Sequence, residues 1–298
     1  MKSMIVIARN YGQLGNRLFL YAHFIAAAQE YGVSVVNPCF SEYADLFPAT
    51  AGDLWCRYPL RESVSAAQPA ALRRKALSKS VYLSAKTMST LGLKEFPFRI
   101  IRLRGDETCD LGSDEFSAAA GGKRPVLASG WLFRSERLLK KHAASVRTHF
   151  RVAETHRQSI DRLMGRLRRE SDLVVGVHIR HGDYATFMNG RYFYSLKEYS
   201  DAMRNIADQF PGKRVSFLVC GNAKFAADDF DGLSVTPGPG HIIEDMYALA
   251  ETDLMFGPPS TYTGWAAFYG DTPLSVMETA NEEIDVTALR HEPIASVA

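Results

Sequence analysis

Residues 174–184 read VVGVHIRHGDY, and the apolar run LVVGVHI at 173–179 inside this neighbourhood decides the fold. A strand that is apolar on both faces belongs in the middle of a parallel sheet covered by helices on each side. Side chains alternate along a strand, so His178 and Arg180 project to the same side. His181, Gly182, Asp183 and Tyr184 then form the loop that leaves the strand. Burying an arginine at such a position is costly unless a counter-charge meets it. Its planar fork of donors suits phosphate oxygens. The residues alone leave two readings open. Either an anion binds at Arg180, or Arg180 pairs with Asp183 to close the loop while His178 is a hydrogen-bonded core histidine.

The pattern around this run is one of alternation. Downstream, residues 196–210, 245–251 and 262–269 read as helices, and 215–219, 254–256 and 274–277 as strands. Upstream, 4–8 (MIVIA) reads as a strand, 10–15 as a turn and 18–31 as a helix with Leu18, Ala22, Ile25 and Ala28 on one side. Gly32 stops that helix and 33–36 resumes as a strand, giving a right-handed βαβ unit. Residues 125–128 predict a strand, Trp131 leads into a helix reaching Phe150, and 155–170 is a charged amphipathic helix. Residues 42–108 show no clear periodicity. A boundary at Arg169 gives domains 1–169 and 170–298, each an α/β sheet covered by helices. Ligands of such sheets bind at the carboxyl ends of the strands, so motifs there carry the most weight.

Composition narrows the classes. At 298 residues the chain accommodates two domains. A hydrophobic fraction of 46% with 23% charged residues fits a soluble globular protein and excludes a disordered one. A net charge of +2 does not favour a nucleic-acid partner. Cys39, Cys56, Cys109 and Cys220 are far apart and form no metal-ligand spacing, which predicts reduced, mostly buried thiols. The first residues lack the long apolar stretch and cleavage site of a secretory signal, so the cytoplasm is the expected location. One stretch is unusual. Between Ser63 and Lys94 lie Arg73, Arg74, Lys75, Lys79, Lys86 and Lys94 with no acidic residue. A solvated face accounts for it; contact with an anionic acceptor or with a membrane carrying a lipid-linked acceptor is the functional alternative.

Two further segments fall at strand ends. Residues 256–269, FGPPSTYTGWAAFY, end a strand at Pro258-Pro259 and start a helix at Ser260 and Thr261. Hydroxyls, free N–H groups and the helix dipole converge there, which serves an N-cap and also favours phosphate. Residues 12–16, GQLGN, offer a tight glycine turn but neither a GxGxxG nor a P-loop pattern. Asp229-Phe230-Asp231 has the DxD form of metal-using glycosyltransferases, yet it stands in DDFDG and reads as a solvated loop.

Taken in order, these segments resemble the GDP-fucose-dependent fucosyltransferase superfamily, and within it glycosyltransferase family 11, the α-1,2-fucosyltransferases. The GGLGNxxFxYA-like turn is Gly12-Gln13-Leu14-Gly15-Asn16-Arg17-Leu18-Phe19-Leu20-Tyr21-Ala22, and a GYWQSE-like segment is Gly130-Trp131-Leu132-Phe133-Arg134-Ser135-Glu136. HxRRGDY appears as His178-Ile179-Arg180-His181-Gly182-Asp183-Tyr184. EDxxxL is Glu244-Asp245-Met246-Tyr247-Ala248-Leu249, and the last segment starts at Pro259-Ser260-Thr261. The resemblance implies a GT-B-like α/β fold, two Rossmann-type domains facing a cleft, with the nucleotide sugar held mainly by the C-terminal one and the acceptor by the N-terminal one. It implies guanine contacts from His178 and Asp245, diphosphate contacts from Arg180, Ser260 and Thr261, and a place near the sugar for Gly15 and Asn16. The implied reaction is inverting, metal-independent transfer of L-fucose from GDP-fucose to a hydroxyl of an oligosaccharide or lipid-linked glycan, α-1,2 to galactose. Neither a metal ion nor another cofactor is expected. Arg180 would be catalytic, and Asp183 either the base or the residue that orients Arg180. The departures, His181 for the second arginine, Arg17 after Asn16, Gly264 at a tryptophan position and the diluted serine run, bear on acceptor and linkage more than on donor. Another GDP-sugar, another linkage and a catalytically silent binding module are the alternatives.

Overall fold

A computed structural model describes residues 4–60, 69–93, 95, 97–230, 232–280, 284–286 and 289. The chain forms two compact units, one running to Ala153 and one starting at Glu154.

In the first unit β1 (Met4–Ile7) passes through a turn into α1 (Leu14–Tyr31) and returns as β2 (Ser34–Val36), parallel to β1. There follow α2 (Pro48–Ala51), β3 (Arg57–Tyr58), α3 (Ala71–Thr90), β4 (Arg99–Arg102), β5 (Cys109–Asp110) and α4 (Asp114–Gly121). The unit ends with β6 (Val126–Ser129), β7 (Phe133–Arg134), α5 (Glu136–Lys141) and α6 (Ala143–His149). The sheet order is β3-β2-β1-β6-β4, parallel except for β3. The strand order therefore reverses between β1 and β6.

α1 differs from its sequence reading in two ways. It begins at Leu14, so Gly15 and Asn16 lie in its first turn and not in a loop. Gly12 makes the turn with φ +58°, and Arg17 Nε fastens it by donating to Gly12 O at 3.1 Å. The helix is also buried without interruption from Leu18 to Ala28, where one apolar side was expected. α5 and α6 pack over the face that would otherwise meet water. Tyr21 stacks edge-on against His149 and Phe150, with centroids 5.4 and 5.5 Å away. The helix expected to reach Phe150 in one piece is split into α5 and α6 at His142.

The basic segment is mostly α3, and Lys94 lies outside the described residues. Arg73, Lys75, Lys79 and Lys86 are exposed, but Arg74 turns inward and is 2% exposed. Its guanidinium donates to Asp53 O at 3.0 Å, to Thr50 O at 3.3 Å and to Ala51 O, and it pairs with Asp45 at 3.4 Å. A buried arginine with this many acceptors ties the 45–53 loop to α3, so it is not part of a basic surface.

The second unit is built on α7 (Glu154–Glu170), β8 (Leu173–Ile179), α8 (Leu196–Asp208), β9 (Val215–Gly221) and β10 (Ser234–Pro237). It continues with α9 (Ile242–Leu249), β11 (Leu254–Gly257), α10 (Thr261–Gly270) and β12 (Leu274–Val276). All five strands are parallel in the order β10-β9-β8-β11-β12, with the reversal between β8 and β11. Val174–Ile179 are wholly buried, as a central parallel strand requires. The sequence set the domain boundary at Arg169, whereas the contacts divide the chain ahead of α7. α7 packs on α9, and Arg168 donates to Glu251 O at 2.7 Å and pairs with Asp253, whose carboxylate accepts from Val174 N at 2.7 Å. Cys39, Cys56 and Cys220 are buried free thiols and Cys109 is half-buried.

Arg74→Ala leaves several buried carbonyls without a donor. It should lower unfolding stability by about 3 kcal/mol, within the range for orphaned buried polar groups. Urea denaturation checks this, and an unchanged midpoint would show that α3 is not tied down by Arg74.

Candidate functional site at the carboxyl end of the second sheet

β8 ends at Ile179 on one side of the strand-order reversal, and β11 ends at Gly257 on the other. Such a reversal opens a crevice at the carboxyl ends of the strands. His178 is paired with Cys220 of β9 and is flanked by Gly257 of β11. A Cβ at Gly257 would stand 2.8 Å from His178 O and 3.0 Å from its Cβ, so only glycine admits this packing. His178 is 4% exposed, and burial together with the nearby Arg180 charge pushes its pKa down to about 3. The imidazole is therefore neutral. Its ring stacks on Tyr262 with centroids 5.0 Å apart and planes 25° apart. Among the described residues, its buried Nδ1 has no hydrogen-bond partner. Buried polar atoms are nearly always satisfied, and an orphan at a crevice points to a ligand atom.

Arg180 emerges just beyond β8. Its Nε donates to Asp183 Oδ1 at 3.2 Å and its Nη2 to Asp183 Oδ2 at 2.8 Å, while its Cζ lies 4.7 Å from the Tyr184 ring centre. The hydrogen bonds from Arg180 hold the Asp183 carboxyl below its usual range. Of the two readings left open above, the ion pair is present, and His178 is not a hydrogen-bonded core histidine at Nδ1. The pair fixes the guanidinium's plane and leaves its Nη1 edge for another acceptor.

His181 leaves the arginine role of its motif entirely. Its Nε2 donates to Tyr194 O at 2.8 Å, its ring stacks on Phe193 at 4.5 Å, and its backbone N–H donates to Asn222 Oδ1 at 2.8 Å. It anchors the loop. Tyr184 links this loop to the other strand end through a hydrogen bond from its hydroxyl to Pro259 O.

Ser260 caps α10, its Oγ accepting from Tyr262 N at 3.2 Å, and is 5% exposed. Thr261 is the first residue of the helix and half-buried. Capping is thus real, and the remaining first-turn N–H groups still carry the positive end of the dipole. Asp245 is 6% exposed in the first turns of α9, where burial raises its pKa to about 6 against the opposing hydrogen bond from Gly240 N at 2.8 Å. Tyr262 joins β8 to α9. Its ring stacks on His178 and its hydroxyl donates to Ile242 O at 2.7 Å.

The fold thus brings His178, Arg180, Asp183, Asp245, Ser260 and Thr261 together in the second unit. Gly15 and Asn16 belong to the first unit, where Asn16 borders a cavity and Gly15 is buried in α1. Sequence reasoning missed Tyr262, Asn222 and Gly257. Tyr262 stood inside a quoted motif and carried no signal of its own, since stacking depends on β8 and α10 meeting. Asp228, Asp229 and Phe230 of DDFDG lie in a short 3-10 helix over Ala227–Phe230, where Asp229 Oδ2 accepts from Ala226 N at 2.7 Å; Asp231 lies outside the described residues. A separate set of metal-ligating types, His156, His241 and Glu244, has ligand atoms within 4.8 Å of one another. Both Glu244 oxygens already accept, from His156 Nδ1 at 2.8 Å and from Ser159 Oγ at 2.7 Å, and this network ties α9 to α7.

No protein-family model and no curated protein sequence matches this chain. Solved structures do. Fucosyltransferase NodZ from Bradyrhizobium is 16% identical with a TM-score of 0.55, covering 97% of this chain and 98% of its own. A mutant of Arabidopsis thaliana FUT1 in complex with GDP is 14% identical with a TM-score of 0.54, covering 93% of this chain and 72% of its own. POFUT1 in complex with GDP is 11% identical with a TM-score of 0.50, covering 91% of this chain and 95% of its own. The chain has the α/β fold of these GT-B-type fucosyltransferases.

The folded-state pKa of Asp245, about 6, lies above the ordinary 3.8, so the folded protein holds the proton more tightly. The contribution to stability is greatest below 3.8 and declines as pH rises through about 6. Asp245→Asn should abolish that decline, so the variant gains stability over the parent as pH goes from acid to neutral. Melting temperatures across this range check it; parallel curves would mean the carboxyl titrates normally.

Proposed function

We propose that the chain is an inverting glycosyltransferase that moves L-fucose from GDP-fucose to a glycan hydroxyl, with no metal ion in the chemistry. The observation that carries this reading is the unpartnered His178 Nδ1 beside the buried carboxyl of Asp245, the two flanking Cys220, which pairs with His178 in the sheet and shares the space at Gly238 with Asp245 Oδ1. Guanine offers N–H donors on one edge and acceptors on another. Asp245 as a carboxylate accepts the donors, and neutral His178, protonated on Nδ1, supplies a donor in return. The likeness in fold to fucosyltransferases crystallised with GDP adds support.

The chemistry follows from what surrounds the base site. The acceptor hydroxyl attacks the sugar C1 from the face opposite GDP, the C1–O bond to the β-phosphate breaks with its electron pair going to GDP, and the hydroxyl proton passes to solvent water. Negative charge grows on the departing diphosphate. Arg180, held in plane by Asp183, and the start of α10 at Ser260 and Thr261 stabilise that charge. Because Asp183 is engaged bidentately and its acidity is raised, we assign it to positioning Arg180 and not to proton abstraction. Gly15 and Asn16 belong with the acceptor side. The α-1,2 linkage to galactose rests on the ordered sequence pattern. A cytoplasmic protein touching a membrane is consistent with α3, whose exposed face carries Arg73, Lys75, Lys79 and Lys86 beside Leu72 and Leu83. No helix among the described residues is long and apolar enough to cross a membrane.

A GDP-release assay with a panel of nucleotide sugars, against galactose-ended and GlcNAc-ended glycans, tests the reading. GDP-fucose should be preferred, and EDTA should leave the rate unchanged; preference for another donor or abolition by EDTA would overturn the respective part. Arg180→Lys keeps the charge but loses the fork, and turnover should fall by about 10²-fold, the scale for one lost transition-state donor. Co-sedimentation with vesicles rich in anionic lipid should occur at low salt and fail for a Lys75→Glu/Lys79→Glu variant.

A further inference from the structure

We infer that the crevice at the carboxyl ends of β1, β6 and β4 is an acceptor site for a negatively charged glycan. The inference rests on the fucosyltransferase reading and names the substrate class that reading leaves open. The cavity has a volume of about 510 Å³ and is lined by Arg9, Tyr11, Asn16, Arg102, Arg104 and Trp131, among others. Its place is set by topology. Arg9 lies just after β1, Arg102 ends β4, and Trp131 follows β6, so the cavity sits where the first sheet reverses its strand order.

The chemistry of the lining is lopsided. Among the described residues it holds three guanidinium groups and no carboxylate. Among the described residues, none of the three pairs with an Asp or Glu, whereas Arg17, Arg57 and Arg74 of the same unit pair with Glu42, Asp53 and Asp45. Arg9 is steadied instead by the faces of Tyr11 and Tyr82, at 4.6 and 5.7 Å, and Arg102 by Ser89 Oγ at 3.4 Å. Like charges facing one cavity repel, and an anion between them relieves the repulsion. Guanidinium groups without carboxylate partners also keep their forks free for a carboxylate, phosphate or sulfate.

The aromatic members point to a sugar and not to a bare anion. Trp131 is half-buried and held by Arg134, whose Nη1 donates to Trp131 O at 2.7 Å and whose Cζ is 5.7 Å from the Trp131 ring centre. Tyr11 lines the same space, and Asn16 adds an amide able to both donate and accept. Aromatic faces take the C–H face of a pyranose, an amide reads hydroxyls, and arginines read the charged substituent. A neutral acceptor would accept hydrogen bonds from the arginines but would leave their charges uncompensated.

The test uses the whole chain and three acceptors of one length: a galactose-ended oligosaccharide, its glucuronate-bearing counterpart and its 6-phosphate counterpart. With GDP-fucose as donor, kcat/KM for a charged acceptor should exceed the neutral one by about 10-fold or more, the scale of one or two charge-assisted hydrogen bonds. Added salt should shrink the advantage by raising KM. The two charged acceptors separate carboxylate from phosphate recognition. Arg102→Gln/Arg104→Gln should bring the charged-to-neutral ratio close to one; Arg104→Gln alone, at an exposed residue, serves if the double variant does not fold, and Arg104→Lys should restore part of the ratio. Equilibrium binding of the glucuronate oligosaccharide without donor gives a readout apart from turnover. Binding lost in the arginine variants supports the site. No binding to the parent chain, a preference for the neutral acceptor, or a loss of GDP affinity in the arginine variants would overturn it. Failure to bind GDP at all would instead sink the donor reading.

Discussion

Everything in the second unit follows from burying β8 on both faces. Val174–Ile179 lie between β9 and β11 with helices above and below, so no polar side chain can stand along most of the strand. The first position where a charged group escapes that constraint is the carboxyl end, and Arg180 is there. Neighbouring strands end nearby for the same topological reason. The crevice is therefore polar because the strand is apolar.

Burial then sorts the titratable groups into roles. His178 is one residue inside the strand end and loses its charge. Asp245 sits where desolvation raises its pKa into a range in which it changes state under mildly acid conditions. Arg180, half out of the sheet, keeps its charge and pairs with Asp183. In the proposed function the neutral imidazole and the buried carboxyl would meet the base of the nucleotide, and the fixed cation its diphosphate. The first unit repeats the same topological device with different chemistry. At its strand-order reversal the described lining residues offer arginines, aromatic rings and the Asn16 amide, with no carboxyl among them. The same architecture thus presents two unlike crevices because only the residues just past the strand ends differ.

Much of this was legible in the sequence. The α/β class, the strand at 173–179, the shared side of His178 and Arg180 and the helix start at Ser260 all come from short-range patterns, namely apolar runs, alternation and capping. The middle of the first unit was not legible. α3, β4 and the inward Arg74 lie in a region of weak periodicity, and an arginine pointing into a loop looks in sequence like one pointing into water. The burial of α1 on every side was likewise hidden, because it is imposed by α5 and α6 from far along the chain.

The sequence by itself determined which residues would stand at the strand ends, because strand period and hydrophobic continuity are properties of neighbouring residues. It could not say what those residues would meet. That Asp183 clamps Arg180, that Tyr262 stacks on His178, that Gly257 clears the space beside it and that Arg9, Arg102 and Trp131 share one cavity were decided only by tertiary structure. Each is a contact between segments whose distance along the chain carries no information about their distance in space. The exception is the Arg180–Asp183 pair. It is local, yet competing partners for a guanidinium exist until the fold removes them.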